Sequence, residues 1–474
     1  MSALPVLVNG TCRQGEPPIF DADLIRRYDV HGPRYTSYPT ALQFREDFGA
    51  DTYRGCAQDS NDDPIPAPLS LYVHIPFCET VCFYCACTKV VTRNRSRASE
   101  YLRHLYLELE LQASLFDKDR VVEQVHLGGG TPTFLGDDEI AQLMLRLRRD
   151  FHLAPEPECS IEVDPRTLRA DTIALLRQLG FNRISLGVQD LDKDVQQAVN
   201  RIQPEELVWS AVTAIRKQGF HSVGMDLIYG LPHQTPDSFD RTLEHIIGMR
   251  PDRLSVFNYA HLPQRFKAQR QISETELPDA EAKLRILELA ISRLTGAGYE
   301  YIGMDHFALP GDALCAARDG GTLQRNFQGY STHGDCDLIG LGMSSISQVA
   351  DCYAQNARAL KSYQSLVASG QLPVERGLVL SADDKLRRQV IMTLICDFSL
   401  RTADIEHDWD LVFWDYFERE RPRLQGFVAD GLLRLEDDLI EVLPRGRLLI
   451  RNICMAFDQY LRAGDMQPGF SRAL

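Results

Sequence analysis

The feature that most constrains this chain is a beat of short β-rich runs alternating with helix-patterned stretches. The runs "LSLYVHI", "VEQVHLG", "CSIEVD", "RISLGVQD", "SVGMDLIYG" and "RLSVFNYAH" begin near residues 69, 122, 159, 183, 222 and 253. Between them Ile140, Leu143, Met144, Leu147 and Phe151 recur at helical spacing, as do Ile173, Leu176 and Leu179 ahead of a stop at Gly180. Strands alternating with helices predict a parallel sheet joined by right-handed crossovers. Six units fall short of the eight in a closed barrel. The expected α/β fold is therefore an open (β/α)6 partial TIM-type barrel with a lateral mouth. Polar and glycine-rich residues follow every run: the cysteine cluster, "GGGTPT", "EVDPR", "GVQD", "DLIYGLP" and "NYAHLP". In a parallel sheet these turns share one edge, where sites are built.

The flanks read differently. Residues 1–68, with "GPRYTSYPT" and the Asp/Pro-rich "QDSNDDPIPAPLS", predict an N-terminal arm and lead-in loop, and residues 69–380 hold the barrel with its extension. Residues 381–474 predict a mostly helical, winged-helix-like domain. A capping pattern at Ser381 and Asp384 precedes Leu386, Val390, Ile391 and Leu394, and "LLRLEDDLIEVL" predicts a hairpin before a helix from Gly446. This domain holds 13 Lys+Arg and 17 Asp+Glu, so 13 − 17 = −4, and the whole chain holds 51 and 66, a net charge of −15. A nucleic-acid surface needs basic patches against phosphate, so a structural or substrate-covering role is expected for it, with no nucleic-acid partner. No apolar run approaches the ~18–20 residues that span a bilayer. The opening "MSALPVLVNGTCRQGE" lacks a secretion-signal pattern. A cytoplasmic protein without a membrane partner is expected, and the lack of a large apolar repeat points to a monomer.

Eight of the twelve cysteines (Cys12, Cys56, Cys159, Cys315, Cys336, Cys352, Cys396 and Cys454) are scattered singly, as small buried residues are in a reducing compartment. The other four crowd into "CETVCFYCAC": Cys78, Cys82 and Cys85 in C-x3-C-x2-C, then Cys87. Structural zinc usually takes two short ligand pairs separated by a longer loop, and no second pair is near. Thiolates hold iron–sulfur cubes, and three of them anchor three corners. The remaining iron is then open to an outside ligand, so the cluster is able to bind and reduce a substrate.

C-x3-C-x2-C after a first strand, "GGGTP" after the second and "DLIYGLP" at the fifth together resemble the radical S-adenosylmethionine superfamily. In that superfamily the open iron is chelated by the methionine moiety, and the sulfonium is split to a 5′-deoxyadenosyl radical that abstracts hydrogen. Further motifs narrow the likeness: "GPRYTSYPT", "LYVHIPFC", "CACTKVVTR", "GGGTPTFL", "SIEVDPRTL", "LGVQDL", "MDLIYGLPHQTP", "RLSVFNYAHLP", "IGMDHFA", "RNFQGYST" and "RGRLLIRNICM". From about residue 20 to the C-terminus the chain resembles the bacterial oxygen-independent coproporphyrinogen III dehydrogenase (oxidase) family.

The resemblance implies oxidative decarboxylation of two propionates of coproporphyrinogen III to the vinyls of protoporphyrinogen IX. S-adenosylmethionine replaces O2 in this step of haem synthesis, and a separate, unidentified electron donor is needed. It also implies a [4Fe-4S] cluster on Cys78, Cys82 and Cys85, and two S-adenosylmethionine molecules. Tyr72, Tyr84, Gly129, Gly130, Thr131, Glu162 and Ile346 match contacts to the first of these. Gln189, Arg201, Asp226 and Ala260 match contacts to the second. The chain departs from the family at Tyr84, where phenylalanine is common, and at Ala86, where glycine is common.

No acid–base residue is assigned, because the cofactor carries the difficult step. Cys87 is a candidate resident of the site or a small residue fitting a tight loop, and is not counted as a ligand. Arg34 and Arg325 are candidates for holding substrate carboxylates, against the plainer reading of ordinary ion pairs. His74 and His306 read as structural. The alternative function is a non-catalytic haem chaperone of the same fold. Such relatives generally lack the C-x-C ending, the "GPRYTSYPT" arm and "RNFQGY", all of which are present here.

Overall fold

The computed structural model describes residues 16–461. Cys12, the first part of the expected arm and the end of the expected C-terminal domain lie outside the described residues. Two compact units emerge, Ala41–Ala290 with Asp335–Ser381, and Met1–Thr40 with Ile291–Gly334 and Ala382–Leu474. These units do not follow the linear boundaries expected at residues 68 and 380, because compactness depends on segments far apart in the chain. Only the junction after Ser381 falls beside an expected boundary.

In the larger unit the six expected strands form in order: β1 Leu69–Ile75, β2 Val121–Gly129, β3 His152–Val163, β4 Arg183–Gln189, β5 Ser222–Tyr229 and β6 Arg253–Asn258. Each is parallel to the next. β3 starts at His152, ahead of the expected 159, because His152 and Leu153 pair with Val121 and Val122 before the register shifts. The sheet also continues past β1. A further parallel strand, β7 Asp337–Leu341, pairs along its other side, and β8 Ile346–Val349, β9 Cys352–Asn356 and β10 Val374–Val379 follow antiparallel. β1 is thus an interior strand, with its end enclosed by loops on both sides.

Alternation decides which residues reach the site. In β3, β4 and β5, Ile161, Val163, Ile184, Leu186, Val188, Val223, Met225 and Leu227 are buried on one face. The residues between them, Glu162, Ser185, Gly187, Gln189 and Asp226, are only partly buried on the opposite face. Helix Asp137–Asp150 buries Ile140, Leu143, Met144 and Leu147, and helix Ala170–Gln178 stops before Gly180, whose φ of 98° suits glycine. In the smaller unit helix Ala382–Asp397 precedes a three-stranded antiparallel sheet of Ser399–Arg401, Leu433–Leu435 and Leu439–Val442, matching the expected helices and hairpin. Cys56, Cys159, Cys315, Cys336, Cys352, Cys396 and Cys454 are all buried and free. No helix among the described residues is long and apolar enough to cross a membrane.

One buried carboxylate secures the β7–β9 side of the sheet. Glu108, in helix Ser96–Ala113, is 0% exposed and accepts from Gly342 N at 2.7 Å, Asn356 Nδ2 at 2.6 Å and the Tyr363 hydroxyl at 2.6 Å. Tyr101 of the same helix donates to His74 O at 2.8 Å and accepts from Met343 N at 3.1 Å, joining the end of β1 to the loop after β7. Burial pushes the Glu108 carboxyl up to about 7 even though its three donors oppose the shift. Glu108→Ala strands those donors and is expected to cost about 3 kcal/mol or more in denaturant unfolding. The folded carboxyl lies above its ordinary 4.5, so the stability it contributes is full below that value and is lost as pH rises to about 7. Glu108→Gln should remove that slope from the pH profile.

Candidate active site

The cysteines sit on a loop pinned at its base and its tip. Where the chain leaves β1, Phe77–Cys78 pairs with Val90–Val91, with Val90 N donating to Pro76 O at 2.7 Å and Thr92 N to Cys78 O at 2.9 Å. At the tip, Phe83 and Tyr84 pack against Val195, Val199, Leu231, Tyr259 and Ile272. Phe83 N donates to Val199 O at 3.0 Å, and Asn200 Nδ2 to Val81 O at 2.8 Å. Gln269 Nε2 donates to Tyr84 O at 2.9 Å and to Ala260 O at 3.2 Å, tying the post-β6 loop to the cysteines. Cys78, Cys82, Cys85 and Cys87 all line a cavity of about 390 Å³.

The turn after β2 forms one wall. Gly130 N donates to Ile75 O at 2.9 Å, and a Cβ on Gly130 would lie 2.7 Å from Pro76 C and 2.8 Å from Phe77 O. Gly129 has a φ of 116°, and a Cβ there would lie 2.6 Å from the His74 ring. Backbone therefore faces the cavity where a side chain has no room. Thr131 Oγ1 reaches Cys78 Sγ at 3.6 Å, and Glu162 accepts from Gly129 N at 3.1 Å and contacts His126 Nε2 at 3.4 Å. Burial pushes the Glu162 carboxyl up, but His126 and the Gly129 N–H outweigh it and hold it below the ordinary value. Tyr72 stands behind this wall, stacked on His126 with centroids 5.8 Å apart, its hydroxyl 3.1 Å from His74 Nδ1. His74 is buried, also contacts Thr88 O at 3.2 Å, and is held below its ordinary pKa by burial.

β4 and its loop form the opposite wall. Gln189 ends β4 in the left-handed region at φ 71°, where the register with β5 shifts. Arg201 donates through Nη1 to Asp164 Oδ2 at 3.1 Å and to Cys82 Sγ at 3.5 Å, and through Nη2 to Gly187 O. Its buried Nε has no hydrogen-bond partner among the described residues. Asp226 is pushed up to about 6, first by burial and then by the charge of Glu162, while Ser185 Oγ donates to it at 3.4 Å.

The cavity therefore gathers Cys78, Cys82, Cys85, Cys87, Tyr84, Gly129, Gly130, Thr131, Glu162, Gln189, Arg201 and Asp226. Tyr72, Ala260 and Ile346 do not line it. Ala260 reaches the cysteine loop through Gln269, and Ile346 starts β8, its backbone against Gly340. Arg34 and Arg325 belong to the smaller unit. There Arg34 pairs with Asp305 at 3.3 Å, and Arg325 is buried with its guanidinium 4.7 Å from the Tyr330 ring centroid. Asp164, Arg166, Lys89 and Ser185 also line the site or contact it, and sequence reasoning missed them. The strand-end motif "EVDPR" marked the place of Asp164 and Arg166, but nothing in it indicated that Arg166 turns toward a cysteine.

The donor set suits an iron–sulfur cluster, which soft thiolates hold. A hydrogen bond from Cys87, with help from Lys89, brings the Cys85 thiol down to about 5 against the opposing effect of burial. The same bond raises Cys87, which is the donor. Burial pushes Cys78 up to about 11, and bonding to a metal reverses that cost. Beside the thiols, bare backbone, two carboxylates and an unsatisfied guanidinium N–H suit an amino-acid zwitterion.

Residues 72–246 match the family model described as the Radical SAM superfamily, and residues 380–449 that of the HemN C-terminal domain. The chain is 52% identical over 457 residues to the oxygen-independent coproporphyrinogen III oxidase of Pseudomonas aeruginosa, covering 96% of this chain and 99% of that protein. It is 50% identical over 455 residues to the protein of that name from Escherichia coli, covering 96% and 98%. Among solved structures it is similar to coproporphyrinogen III oxidase (HemN) from Escherichia coli, described as a radical SAM enzyme, with a TM-score of 0.89 and 49% identity over 94% of this chain and 100% of that one.

The turn itself is open to test. Gly130→Ala forces a methyl into backbone and should destabilise the strand ends by about 1–3 kcal/mol. Anaerobic reconstitution should then give far less iron per chain than wild type, while circular dichroism shows the sheet retained.

Proposed function

The chain belongs to the oxygen-independent coproporphyrinogen III oxidase family of radical S-adenosylmethionine enzymes, and from that premise we propose that it converts two propionates of coproporphyrinogen III to the vinyls of protoporphyrinogen IX. The step belongs to haem synthesis and needs no O2. One observation carries the reading: Cys78, Cys82 and Cys85 share a cavity with the side-chain-free turn at Gly129 and Gly130.

Cys78, Cys82 and Cys85 would hold a four-iron cluster, leaving one iron open to the amino and carboxylate groups of S-adenosylmethionine. When bound, this pair supplies one-electron hydrogen abstraction from carbon, using an electron from an external donor. Gly129, Gly130, Thr131 and the ionised Glu162 receive the methionine end, Tyr84 flanks it, and Tyr72 and Ile346 support it from behind. Gln189, Arg201, Asp226 and Ala260 receive a second S-adenosylmethionine, with the unpaired Arg201 Nε offered to its carboxylate and Asp226 to its cationic or hydroxyl groups. Arg34 and Arg325 hold substrate propionates. The chain's own work is binding, orientation and water exclusion, so no side chain is assigned a proton transfer. Cys87 lines the same cavity and is not counted as a ligand. The protein acts as a cytoplasmic monomer with no nucleic-acid or membrane partner, a reading supported by its net charge of −15.

Anaerobically reconstituted protein, given coproporphyrinogen III, S-adenosylmethionine and dithionite, should release protoporphyrinogen IX with 5′-deoxyadenosine and methionine. Stoichiometric haem binding without a vinyl product would overturn the enzyme in favour of the haem chaperone. Cys78→Ala, Cys82→Ala and Cys85→Ala should each lose the cluster, whereas Cys87→Ala should keep its iron. Arg325→Met should raise the KM for coproporphyrinogen III by about tenfold or more, the worth of one charged hydrogen bond, with S-adenosylmethionine binding unchanged.

A further inference from the structure

We propose that Arg166, oriented by Asp164, is a positioning residue that acts with Arg201 through Cys82 to raise the reduction potential of the iron–sulfur cluster. The proposal rests on the reading of Cys82 as a cluster ligand.

β3 ends at Val163, and Asp164 caps the short turn Pro165–Thr167 by accepting from Arg166 N at 3.0 Å. The turn folds the Arg166 side chain back onto that same carboxylate. Its Nε lies 3.0 and 3.1 Å from the two oxygens, and its Nη2 lies 2.6 Å from Oδ2. Arg166 Nη2 also reaches Cys82 Sγ at 3.8 Å. From the other side, Arg201 Nη1 reaches the same sulfur at 3.5 Å and the same Asp164 oxygen at 3.1 Å. Two guanidiniums, one carboxylate and one sulfur thus close into a single set.

Both guanidiniums of this set converge on the sulfur as well as on the carboxylate. Two positive charges meet one negative charge; Asp164 and Arg201 are each only 7% exposed, and the Arg166 side chain is 21% exposed. The Cys82 sulfur is the second acceptor that the two guanidiniums share, and the negative charge it would carry as a metal ligand would offset theirs. A lone Arg166–Asp164 ion pair would need neither Arg201 nor the turn toward Cys82. Cys78, by contrast, is hydrogen-bonded by the neutral Thr131 hydroxyl at 3.6 Å, with no guanidinium on its sulfur among the described residues.

Hydrogen bonds to ligand sulfurs and nearby positive charge favour the more negative state of an iron–sulfur cluster. Reduction brings in one electron from an external low-potential donor, breaks no bond and moves no proton. The set stabilises the extra negative charge and so makes that electron easier to accept. Arg166 touches neither iron nor substrate and acts through the sulfur.

The test is a dithionite potentiometric titration of the anaerobically reconstituted full chain, followed by the paramagnetic signal of the reduced cluster. Arg166→Gln should keep its iron and shift the midpoint to more negative potential, so that a fixed submaximal reductant gives a several-fold smaller signal. Arg166→Lys retains the charge but not the planar fork, and should recover part of the shift. An unshifted midpoint in Arg166→Gln at full iron content overturns the proposal. If that variant does not retain iron, Arg166→Lys and Asp164→Asn are titrated instead, and unshifted midpoints in both overturn it equally. A wild-type chain that takes up no cluster, or whose cluster signal is blind to S-adenosylmethionine, overturns the reading of the site and this proposal with it. A normal wild type beside unshifted variants overturns this proposal alone.

Discussion

Two parallel strand ends meet in this protein with no side chain between them, and the site depends on that approach. β1 and β2 run in register to Ile75 opposite Gly129, and Gly130 N then closes onto Ile75 O at 2.9 Å. A methyl at Gly130 would sit within 2.7 Å of the Pro76 backbone, so any larger residue would wedge the two turns apart. The same backbone that meets Gly130 launches the cysteine loop, since Val90 N donates to Pro76 O. Close packing at one point therefore sets the distance between the thiols and the polar ends of β2 and β3. Enclosure by β7 and the Glu108 hydrogen bonds keeps β1 from yielding.

Electrostatics then divides the cavity. Glu162 and Asp226 share it, yet they are displaced in opposite directions. Glu162 has His126 and the Gly129 N–H as partners and stays below the ordinary carboxylate value. For Asp226, burial and the charge of Glu162 prevail over the Ser255 and Ser185 hydroxyls and the Arg201 charge, and lift it to about 6. Against a net charge of −15 for the chain, the cysteine loop is met by Arg166, Arg201 and Lys89. Positive charge is placed beside the thiols, in opposition to the overall field.

Much of this was legible beforehand because it is written in local pattern. The six strands, the helices between them and the shared edge of polar turns follow from periods of two and 3.6 residues. The thiol spacing declares its chemistry through the residue types alone. The Cys82–Phe83–Tyr84–Cys85 segment also carries two aromatic anchors, although the cluster of Val195, Val199, Leu231, Tyr259 and Ile272 that receives them lies more than a hundred residues on. Other features left no such trace. β7 is a short, fully buried run with no alternation to mark it, and β3 begins across "PEPE", which reads as a break.

The amino-acid sequence by itself determined the class of sheet, the edge that carries the site and the crowding of thiols on it, because each is encoded within a few neighbouring residues. Only the tertiary structure decided that β1 is enclosed on both sides, that Glu108 secures the loops beside it, and that Arg166, held by Asp164, turns toward Cys82. The physical reason is that these are pairings across long separations, such as Glu108 with Gly342, 234 residues apart, and Cys82 with Arg166, 84 apart. Local propensity carries no information about such partners, and they are selected only when buried polar groups must find one another on folding.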